Sequence, residues 1–391
     1  MTIPTPADRL PDQLAFLVEA DKLKSIVRAN TLADGSRFEN TAEHSWHVCL
    51  WALVFADQSG GANIPRVIQM LLVHDIVEID AGDHPIHLDH DMDDVTAKET
   101  AAATRIFGLL PADQAVNYRL LWEEFEDGKT ADAHYARMID KAAPMFLALS
   151  NPVQTQVDHD ILRAIQETGR FSDLHDDWPE LYQHASNLLN KRRLMPLEPM
   201  ASRLRFVMEA DRLKTVLRGT TLNDASRHEN SAEHSWHIML WALTLAEHSH
   251  EAAKIDHVLL MLLLHDIVEI DAGDNPIHRD FDAADVEEQE LAAADRLFGM
   301  LPPAQRDDFR AIWEEFETAK SVDAVFAKSI DRAQPLICNL ESGGGSWREY
   351  NVTRAQIDSR VGVKVKRGAP ALWFALAPRI DDWFLAETTA S

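Results

Sequence analysis

The most constraining feature of this sequence is an internal repeat whose period is about half the chain. LVEADKLKSIVRANTLADGSRFENTAEHSWH recurs as VMEADRLKTVLRGTTLNDASRHENSAEHSWH, and HDIVEIDAGDHPIH, from His74, recurs as HDIVEIDAGDNPIH, from His265. The period is far too long for a solenoid of small units, so it predicts two copies of one domain. We place the domains at residues 1–195 and 196–391, with the boundary in KRRLMPLEPMAS, where two prolines and a charge cluster interrupt the helical pattern.

Within each copy the apolar residues follow a helical pattern. HSWHVCLWALVFA and VIQMLLVHDIVEI carry them at spacings of three and four, with few glycines or prolines. Asn40 with Glu43, and Asn230 with Glu233, have the spacing of a capping box at a helix start. Period-two alternation is nearly absent; VGVKVKR, from Val361, alternates but is short enough to be a loop. We therefore predict an all-α protein.

The charge balance narrows the possible partners. The chain has 38 Lys and Arg against 64 Asp and Glu, a formal net charge of −26. Such a surface repels long nucleic acids, whereas a small phosphorylated ligand remains compatible with a local cation or metal. Cys49 and Cys338 are too few for a disulfide framework or a cysteine zinc site. Because no run reaches 18 apolar residues and MTIPTPADRLPDQ does not resemble a signal peptide, we expect a cytoplasmic protein without membrane segments.

Three titratable residues interrupt an otherwise apolar helical stretch, MLLVHDIVEI. His74, Asp75 and Glu78 are spaced to project towards one side of a helix. An unpaired buried carboxylate costs several kcal/mol, and no Lys or Arg lies within one turn. A divalent cation would resolve this, since His and Asp supply a nitrogen and an oxygen ligand. The alternative, and the commoner meaning of a lone His-Asp, is a hydrogen-bonded pair within the core.

The recurrence of a larger set favours the metal. His44 lies in AEHSWH, upstream of the His-Asp pair, and Asp140 follows Asp75 by 65 residues. In the second copy the last spacing, from Asp266 to Asp331, is again 65 residues. Two copies of a full set of imidazole and carboxylate donors are more than a single core His-Asp pair requires.

These motifs resemble those of the HD-domain superfamily of metal-dependent phosphohydrolases. The resemblance rests on S/T-A-E-H, HDIVE followed by GD, and ID[KR]A, and it covers nearly the whole chain as two tandem domains. LK-x-x-x-R and HD-x-x-E-x-x-x-x-D are similar to the branch that contains bacterial 5′-deoxynucleotidases and their eukaryotic relatives. The resemblance implies phosphate removal from nucleoside 5′-monophosphates or similar small phosphomonoesters. Because HD domains of this branch commonly pair, we expect the two copies to pack about a pseudo-two-fold axis, with a further homo-oligomer possible.

The resemblance also implies site residues and one divalent ion per domain (Mn, Co, Mg, Fe or Zn). The implied metal ligands are His44, His74, Asp75 and Asp140 in the first copy, and His234, His265, Asp266 and Asp331 in the second.

Acidic residues and an arginine beside these ligands complete the implied site. Glu78 and Glu269 would orient or deprotonate water, and Asp83 and Asp274 would assist; the alternative for the two aspartates is turn chemistry at the end of the helix. Arg28 and Arg218 would bind phosphate, the alternative being solvated helix charges.

One departure from the branch leaves the sugar preference open. The branch carries a tryptophan, implied to sense the missing 2′-hydroxyl, shortly after the arginine; here Ala-Asn-Thr-Leu and Gly-Thr-Thr-Leu follow instead. Among the other retained residues, we expect surface positions for Lys24 and Lys214 and core positions for His47 and His237. Because only His87 and His278 recur in the loop after the GD turn, we expect no second metal there.

Two rival functions stay open at this point. The protein could hydrolyse nucleotides at pyrophosphate or triphosphate linkages, although no dense basic cluster accompanies the motifs. Alternatively, it could be a regulatory or binding module whose sites hold metal without turnover.

Overall fold

The structure is a computed structural model that describes residues 5–84, 91–167, 170–192, 195–278 and 282–390. The first half begins with a helix and a β-hairpin, and further helices follow. Its elements are α1 (Pro6–Ala20), β1 (Val27–Thr31), β2 (Phe38–Asn40), α2 (Thr41–Val54), α3 (Ile64–Val73), α4 (Glu78–Ala81), α5 (Met92–Phe107), α6 (Ala112–Asp127), α7 (Ala131–Ser150), α8 (Gln156–Glu167), α9 (Leu174–Asp177) and α10 (Pro179–Leu189).

The second half repeats this order up to its long C-terminal helices. Its elements are α11 (Met200–Ala210), β3 (Leu217–Thr221), β4 (His228–Asn230), α12 (Ser231–Thr244), α13 (Ile255–Leu264), α14 (Glu269–Ala272), α15 (Ala283–Phe298), α16 (Pro303–Thr318), α17 (Val322–Glu341), α18 (Gly345–Glu349), α19 (Arg354–Gln356), a π-helical turn (Ile357–Gly362), α20 (Val363–Gly368) and α21 (Pro370–Ala390). The prediction of an all-α protein is confirmed, with one short hairpin added to each half.

Helices α2 and α12 form the centre of the molecule and pack against each other. Every residue of α2 except Leu53 is buried, and every residue of α12 except Leu243. Both predicted capping boxes are present at their starts. Because a helix buried on all sides exposes no polar face to water, the polar side chains of α2 and α12 must find partners inside the protein.

The two halves contact each other reciprocally. The indole of Trp46 donates a hydrogen bond to the carbonyl of Leu263 at 3.1 Å, and that of Trp236 donates to Leu72 at the same distance. The side chains of His47 and His237 likewise reach backbone carbonyls of the opposite half, at 2.8 and 2.9 Å. A contact that appears twice with the halves exchanged is the signature of a pseudo-two-fold axis. The predicted pairing of the two copies is therefore confirmed.

The segment that contains the His-Asp pair is not one continuous helix. Helix α3 ends at Val73, and residues 74–77 form tighter turns in which Glu78 N–H donates to the carbonyl of Asp75. Helix α4 ends at Ala81 and is followed by Gly82, whose φ of +79° lies in the left-handed region that favours glycine. Asp75 lies within the tighter turns and Glu78 directly follows them, and both lie beside Arg28 of the hairpin in the same half.

Two further observations concern the C-terminal region and membranes. VGVKVKR is not a loop: it lies in the π-helical turn and α20, and packs on α17. The prediction of a loop is wrong because its alternation places Val361 and Val365 on the buried side of a helical segment, four residues apart. Among the described residues no helix combines the length and apolarity that crossing a bilayer requires.

Candidate metal and phosphate sites

In the first half, ligand-type side chains from three helical segments converge. His44 comes from α2, His74 follows α3, and Asp140 comes from α7. His44 Nε2 lies 3.1 Å from Asp140 Oδ1, and His74 Nε2 lies 3.6 Å from the same oxygen. One donor atom from each of the three residues falls within 4.8 Å of the others. Asp75 completes the group, with its Oδ2 3.1 Å from His74 Nε2.

The second half repeats this cluster. His234 Nε2 lies 3.3 Å from Asp331 Oδ1, and His265 Nε2 lies 2.9 Å from Asp266 Oδ1. Donor atoms of His234, His265 and Asp331 again lie within 4.8 Å of one another. The structure thus brings the eight residues that the resemblance implies as ligands into two groups of four.

Backbone and carboxylate contacts fix the orientation of these histidines. His74 Nδ1 lies 2.8 Å from the carbonyl of Leu71, so Nδ1 carries a proton, and a neutral His74 ring then presents the lone pair of Nε2. His265 makes the same contact with Leu262 at 2.8 Å. Both Nε2 atoms are buried and have no hydrogen-bond partner among the described residues. A buried lone pair that faces carboxylate oxygens fits a metal ion.

The other histidine of each cluster faces a carboxylate on its far side. His44 Nδ1 lies 3.4 Å from Glu39 Oε2, and His234 Nδ1 lies 3.2 Å from Glu229 Oε2. A carboxylate behind a histidine directs the opposite ring nitrogen towards a metal and increases its basicity. Glu39 and Glu229, each fully buried, were not identified from the sequence, although each stands directly before the capping asparagine in its copy.

An arginine from each hairpin lies against the acidic residues. Arg28 Nη1 lies 2.8 Å from Asp75 Oδ2, 3.6 Å from Glu78 Oε1 and 3.8 Å from Asp83 Oδ1. Arg28 therefore supplies positive charge from 47 residues away in the sequence, although no Lys or Arg lies within one helical turn of Asp75. Charge compensation alone does not require a metal here; the convergence of imidazole and carboxylate donor atoms is the feature that fits one.

The second arginine has the corresponding contacts. Arg218 Nη1 lies 2.7 Å from Asp266 Oδ2, 3.7 Å from Glu269 Oε1 and 4.0 Å from Asp274 Oδ1. Asp274 also accepts a hydrogen bond from the backbone N–H of Gly219 at 3.1 Å. The structure thus places the arginine and both acidic residues of each half beside the candidate metal ligands, with the arginines largely shielded from solvent.

The glutamates are held by hydroxyl groups at the start of the central helices. Thr41 Oγ1 donates to Glu78 Oε2 at 2.9 Å, and Ser231 Oγ donates to Glu269 Oε2 at 2.5 Å. Burial raises the pKa of Glu78 well above its usual value, and the neighbouring Asp75 carboxylate adds to the increase. Burial and Asp266 raise the pKa of Glu269 in the same way. A carboxylate with a raised pKa is suited to accept a proton near neutral pH.

Comparison with known families accounts for this duplicated geometry. A family model described as HD domain matches residues 20–182 and again residues 210–373. The chain belongs to the HD domain family. The two matches cover the two repeats, so each repeat is an HD domain.

Named relatives cover one HD domain at a time. The human 5′-deoxynucleotidase HDDC2 is 27% identical over 186 residues, which are 46% of this chain and 85% of the relative. A 5′-deoxynucleotidase of Vibrio atlanticus (strain LGP32) is 30% identical over 161 residues, 39% of this chain and 82% of the relative. A crystal structure from Magnetospirillum magnetotacticum MS-1, titled a predicted metal-dependent phosphohydrolase, is 47% identical, with a TM-score of 0.45, over 47% of this chain and 95% of that one.

The two lysines that we expected on the surface are buried between the HD domains. Lys24 and Lys214 are 1% and 0% exposed. Lys24 Nζ lies 2.7 Å from Glu229 Oε1, and Lys214 Nζ lies 2.6 Å from Glu39 Oε1, each across the interface. The prediction of a surface position is wrong because buried carboxylates of the other HD domain compensate each ammonium group.

Two other histidine predictions have different outcomes. His47 and His237 are buried, as expected, but they belong to the same polar clusters as the lysines. His278 lines the pocket of the second HD domain, whereas His87 lies outside the described residues. Burial, aided by the nearby Arg360 and Arg332, lowers the pKa of His278 to about 4.

A pocket opens beside the cluster of the second HD domain. Its lining includes Arg218, Gly219, Arg332, Trp347 and Tyr350. A Cβ atom at position 219 would lie only 3.3 Å from the Tyr350 ring, so the absence of a side chain at Gly219 leaves room for this ring. The aromatic side chains Trp347 and Tyr350 at this pocket come from α18 and the residue that follows it, not from the segment directly after the arginine. The repeat could not indicate these two aromatic residues as pocket residues, because their segment has no matching motif in the first copy.

Proposed function

We propose that this protein is a metal-dependent phosphohydrolase that removes phosphate from nucleoside 5′-monophosphates or similar small phosphomonoesters, with one site in each HD domain. The observation that carries the proposal is the pair of buried Nε2 lone pairs, on His74 and His265, each facing carboxylate oxygens beside an arginine. The names of the 5′-deoxynucleotidase relatives support the substrate class.

The donor set indicates which ions would suit the site. In the first HD domain the ion would be held by His44, His74, Asp75 and Asp140; in the second, by His234, His265, Asp266 and Asp331. Two imidazoles with two carboxylates suit Mn, Fe, Co or Zn better than Mg. When bound, the ion would act as a Lewis acid that activates water and offsets the charge on phosphate.

The other residues would bind the substrate and move a proton. The Arg28 guanidinium can donate to two phosphate oxygens at once, which fixes the phosphate and stabilises charge that develops on it. Thr41 holds Glu78 Oε2, which leaves Oε1 near Arg28 as the atom that accepts a proton from the attacking water. Asp83 would help to position that water. Arg218, Glu269 and Asp274 would have these roles in the second HD domain.

We also propose that the two domains divide at residues 195 and 196. Helix α10 ends at Leu189 and α11 begins at Met200, so the division falls between helices. Helix α11 has the place in the second half that α1 has in the first, since each leads into the turn that carries the interface lysine.

Metal reconstitution tests the proposed activity. The full-length protein is treated with a chelator, reloaded separately with Mn, Co, Mg, Fe(II) or Zn, and given ribo- and deoxynucleoside 5′-monophosphates, a nucleoside triphosphate and pyrophosphate. We expect phosphorus NMR to show orthophosphate released from monophosphates only after reloading. The double variant Asp75→Asn with Asp266→Asn should lose this activity, whereas Asp94→Asn, on an exposed helix start, should retain it.

Other outcomes would replace the proposal. Release of pyrophosphate or triphosphate would favour the triphosphate-type hydrolase. Metal bound without turnover of any substrate would favour a regulatory module. Folded protein that neither binds these ions nor releases phosphate would contradict the assignment of the site.

A further inference from the structure

The interface between the HD domains holds two buried lysine clusters. Lys24 Nζ contacts Asp21 Oδ1 at 2.5 Å within its own half, and Glu229 Oε1 at 2.7 Å and His237 Nδ1 at 2.9 Å in the other. Two of its three partners therefore belong to the opposite HD domain. The lysine side chain is fully buried, as is that of Glu229.

The second cluster is the same arrangement with the halves exchanged. Lys214 Nζ contacts Asp211 Oδ1 at 2.5 Å, Glu39 Oε1 at 2.6 Å and His47 Nδ1 at 3.0 Å. In both clusters two carboxylates and a histidine converge closely enough to hold a metal ion. The ammonium group occupies that position, so we assign these two clusters to lysine rather than to metal.

Each bridging glutamate uses its two oxygens for different partners. Glu39 gives Oε1 to the lysine of the other half, while its Oε2 faces His44 Nδ1 at 3.4 Å and Arg28 Nε at 3.9 Å. Glu39 thus connects Lys214 to a ligand histidine and to the arginine of the first site. Removal of the ammonium group would leave this carboxylate buried without its strongest partner.

The second glutamate makes the same connection. Glu229 Oε1 faces Lys24, and its Oε2 lies 3.2 Å from His234 Nδ1 and 3.8 Å from Arg218 Nε. Gln334 also donates to Glu229 Oε1 at 3.0 Å, a contact from α17 of the same half. The second site therefore has one additional support that is independent of the lysine.

The hairpins that carry the arginines are also held from the opposite half. Asp21 Oδ2 accepts the backbone N–H of Asn223 at 3.0 Å, in the loop of the second hairpin. Asp211 Oδ2 accepts the N–H of Ala33 at 2.8 Å, in the loop of the first. The aspartate that contacts each lysine therefore clamps the hairpin of the other HD domain.

We propose that Lys214 is a positioning residue for the first site and Lys24 for the second, so that each HD domain completes the site of its partner. The lysine fixes the glutamate, the glutamate fixes the ligand histidine, and the histidine presents Nε2 to the ion. This inference rests on the proposed function, because it takes His44 and His234 as metal ligands. Partners of ligand histidines typically contribute 10- to 100-fold to metal affinity or activity.

Single-site backgrounds provide the test. Asp266→Asn leaves only the first site competent, and Asp75→Asn leaves only the second. We expect Lys214→Met to lower Mn²⁺ affinity and kcat/KM about 10- to 100-fold in the Asp266→Asn background and to change them less than about threefold in the Asp75→Asn background. Lys24→Met should show the reverse. Mn²⁺ binding, followed by EPR, gives a readout that does not depend on turnover.

A double-mutant cycle tests whether the lysine acts through the glutamate. If it does, Glu39→Gln and Lys214→Met combined should cost about as much as Glu39→Gln alone. Lys214→Gln keeps hydrogen-bond donors without the charge, and we expect it to fold and to show a smaller loss at the same site. If both Lys214 variants reduced Mn²⁺ binding equally at the two sites, the lysine would be merely structural and the proposal would be overturned. Lack of Mn²⁺ binding in the unsubstituted protein would instead contradict the proposed function.

Discussion

The two HD domains agree closely at the candidate metal sites and differ in the residues around them. The distance from the arginine to the first aspartate is 2.8 Å in one half and 2.7 Å in the other, and the glutamates, hydroxyl contacts and interface lysines correspond one for one. The pocket beside the second site is also lined by Arg332, Trp347 and Tyr350, which come from the helix and loop segments after α16.

The first site has different groups at its edge. Lys141, which corresponds to Arg332, pairs with Asp173 at 2.5 Å, and Ala29 stands where the second site has Gly219. The residues of the two candidate metal sites therefore correspond closely, whereas the residues around those sites differ. We therefore expect the same reaction in both halves with different substrate preferences.

The arginines should give the largest effect. In single-site backgrounds, Arg28→Met should lower kcat/KM of the first site, and Arg218→Met that of the second, about 10²- to 10³-fold, because each removes a charged donor to the phosphate. Steady-state kinetics with a nucleoside monophosphate would measure both losses. Retained Mn²⁺ binding is the control for site integrity; an unchanged kcat/KM would show that the arginine only compensates the acidic residues.

The buried interface histidines should make the stability of both halves sensitive to acid. Burial, with Lys214 nearby, lowers the pKa of His47 to about 4, although Asp211 and Glu39 oppose the decrease. The unfolded chain binds this proton near pH 6.5, so between pH 6.5 and about 4 acid favours unfolding by about 1.4 kcal/mol per pH unit. The stability advantage of the unsubstituted protein over His47→Gln should therefore shrink by about 2 kcal/mol from pH 7 to pH 5.

Urea unfolding at the two pH values would measure this change. His237→Gln should behave similarly, since burial and Lys24 hold the pKa of His237 well below its usual value. A difference between substituted and unsubstituted protein that does not vary with pH would contradict the prediction for that half. Unequal changes would show that the two interface clusters are not equivalent.

How much could be predicted from the sequence depended on the range of each interaction. The start of α2 follows from local spacing, since Asn40 and Glu43 satisfy backbone groups within one turn. The candidate ligand residues could be predicted because their motifs occur in both halves. The role of Lys214 could not be predicted, because its partner Glu39 lies 175 residues away and an isolated lysine is usually solvated. The position of Tyr350 at the pocket could not be predicted, because its segment has no counterpart in the first copy.

Replacing Gly219 with alanine, the residue found at the corresponding position 29 of the first half, should have a smaller effect on catalysis than the arginine substitutions. Gly219→Ala places a methyl group 3.2 Å from Pro276 Cγ and 3.3 Å from the Tyr350 ring, so the pocket of the second site must adjust. Crowding of this kind costs about 1 kcal/mol, which corresponds to roughly a fivefold rise in KM at that site. Ala29→Gly is the matched control and should leave the first site unchanged. Equal effects in both halves would contradict the divergence of the residues around the two sites.

The two hairpin loops differ at two positions, and the exchange at one of them should have the smallest effect and act only on stability. Gly35 and Ala225 occupy corresponding turn positions with φ of +72° and +60°, a region that costs an L-residue about 1–2 kcal/mol. Glycine avoids this cost but loses more conformational entropy on folding, so Ala225→Gly should raise the free energy of unfolding by about 0.5–1 kcal/mol. The reverse exchange, Gly35→Ala, should lower it, since the added carbon would also lie 2.9 Å from Asn151 Oδ1. The urea midpoint at constant slope measures both changes, and a loss of stability in Ala225→Gly would show that the second hairpin does not share the backbone geometry of the first.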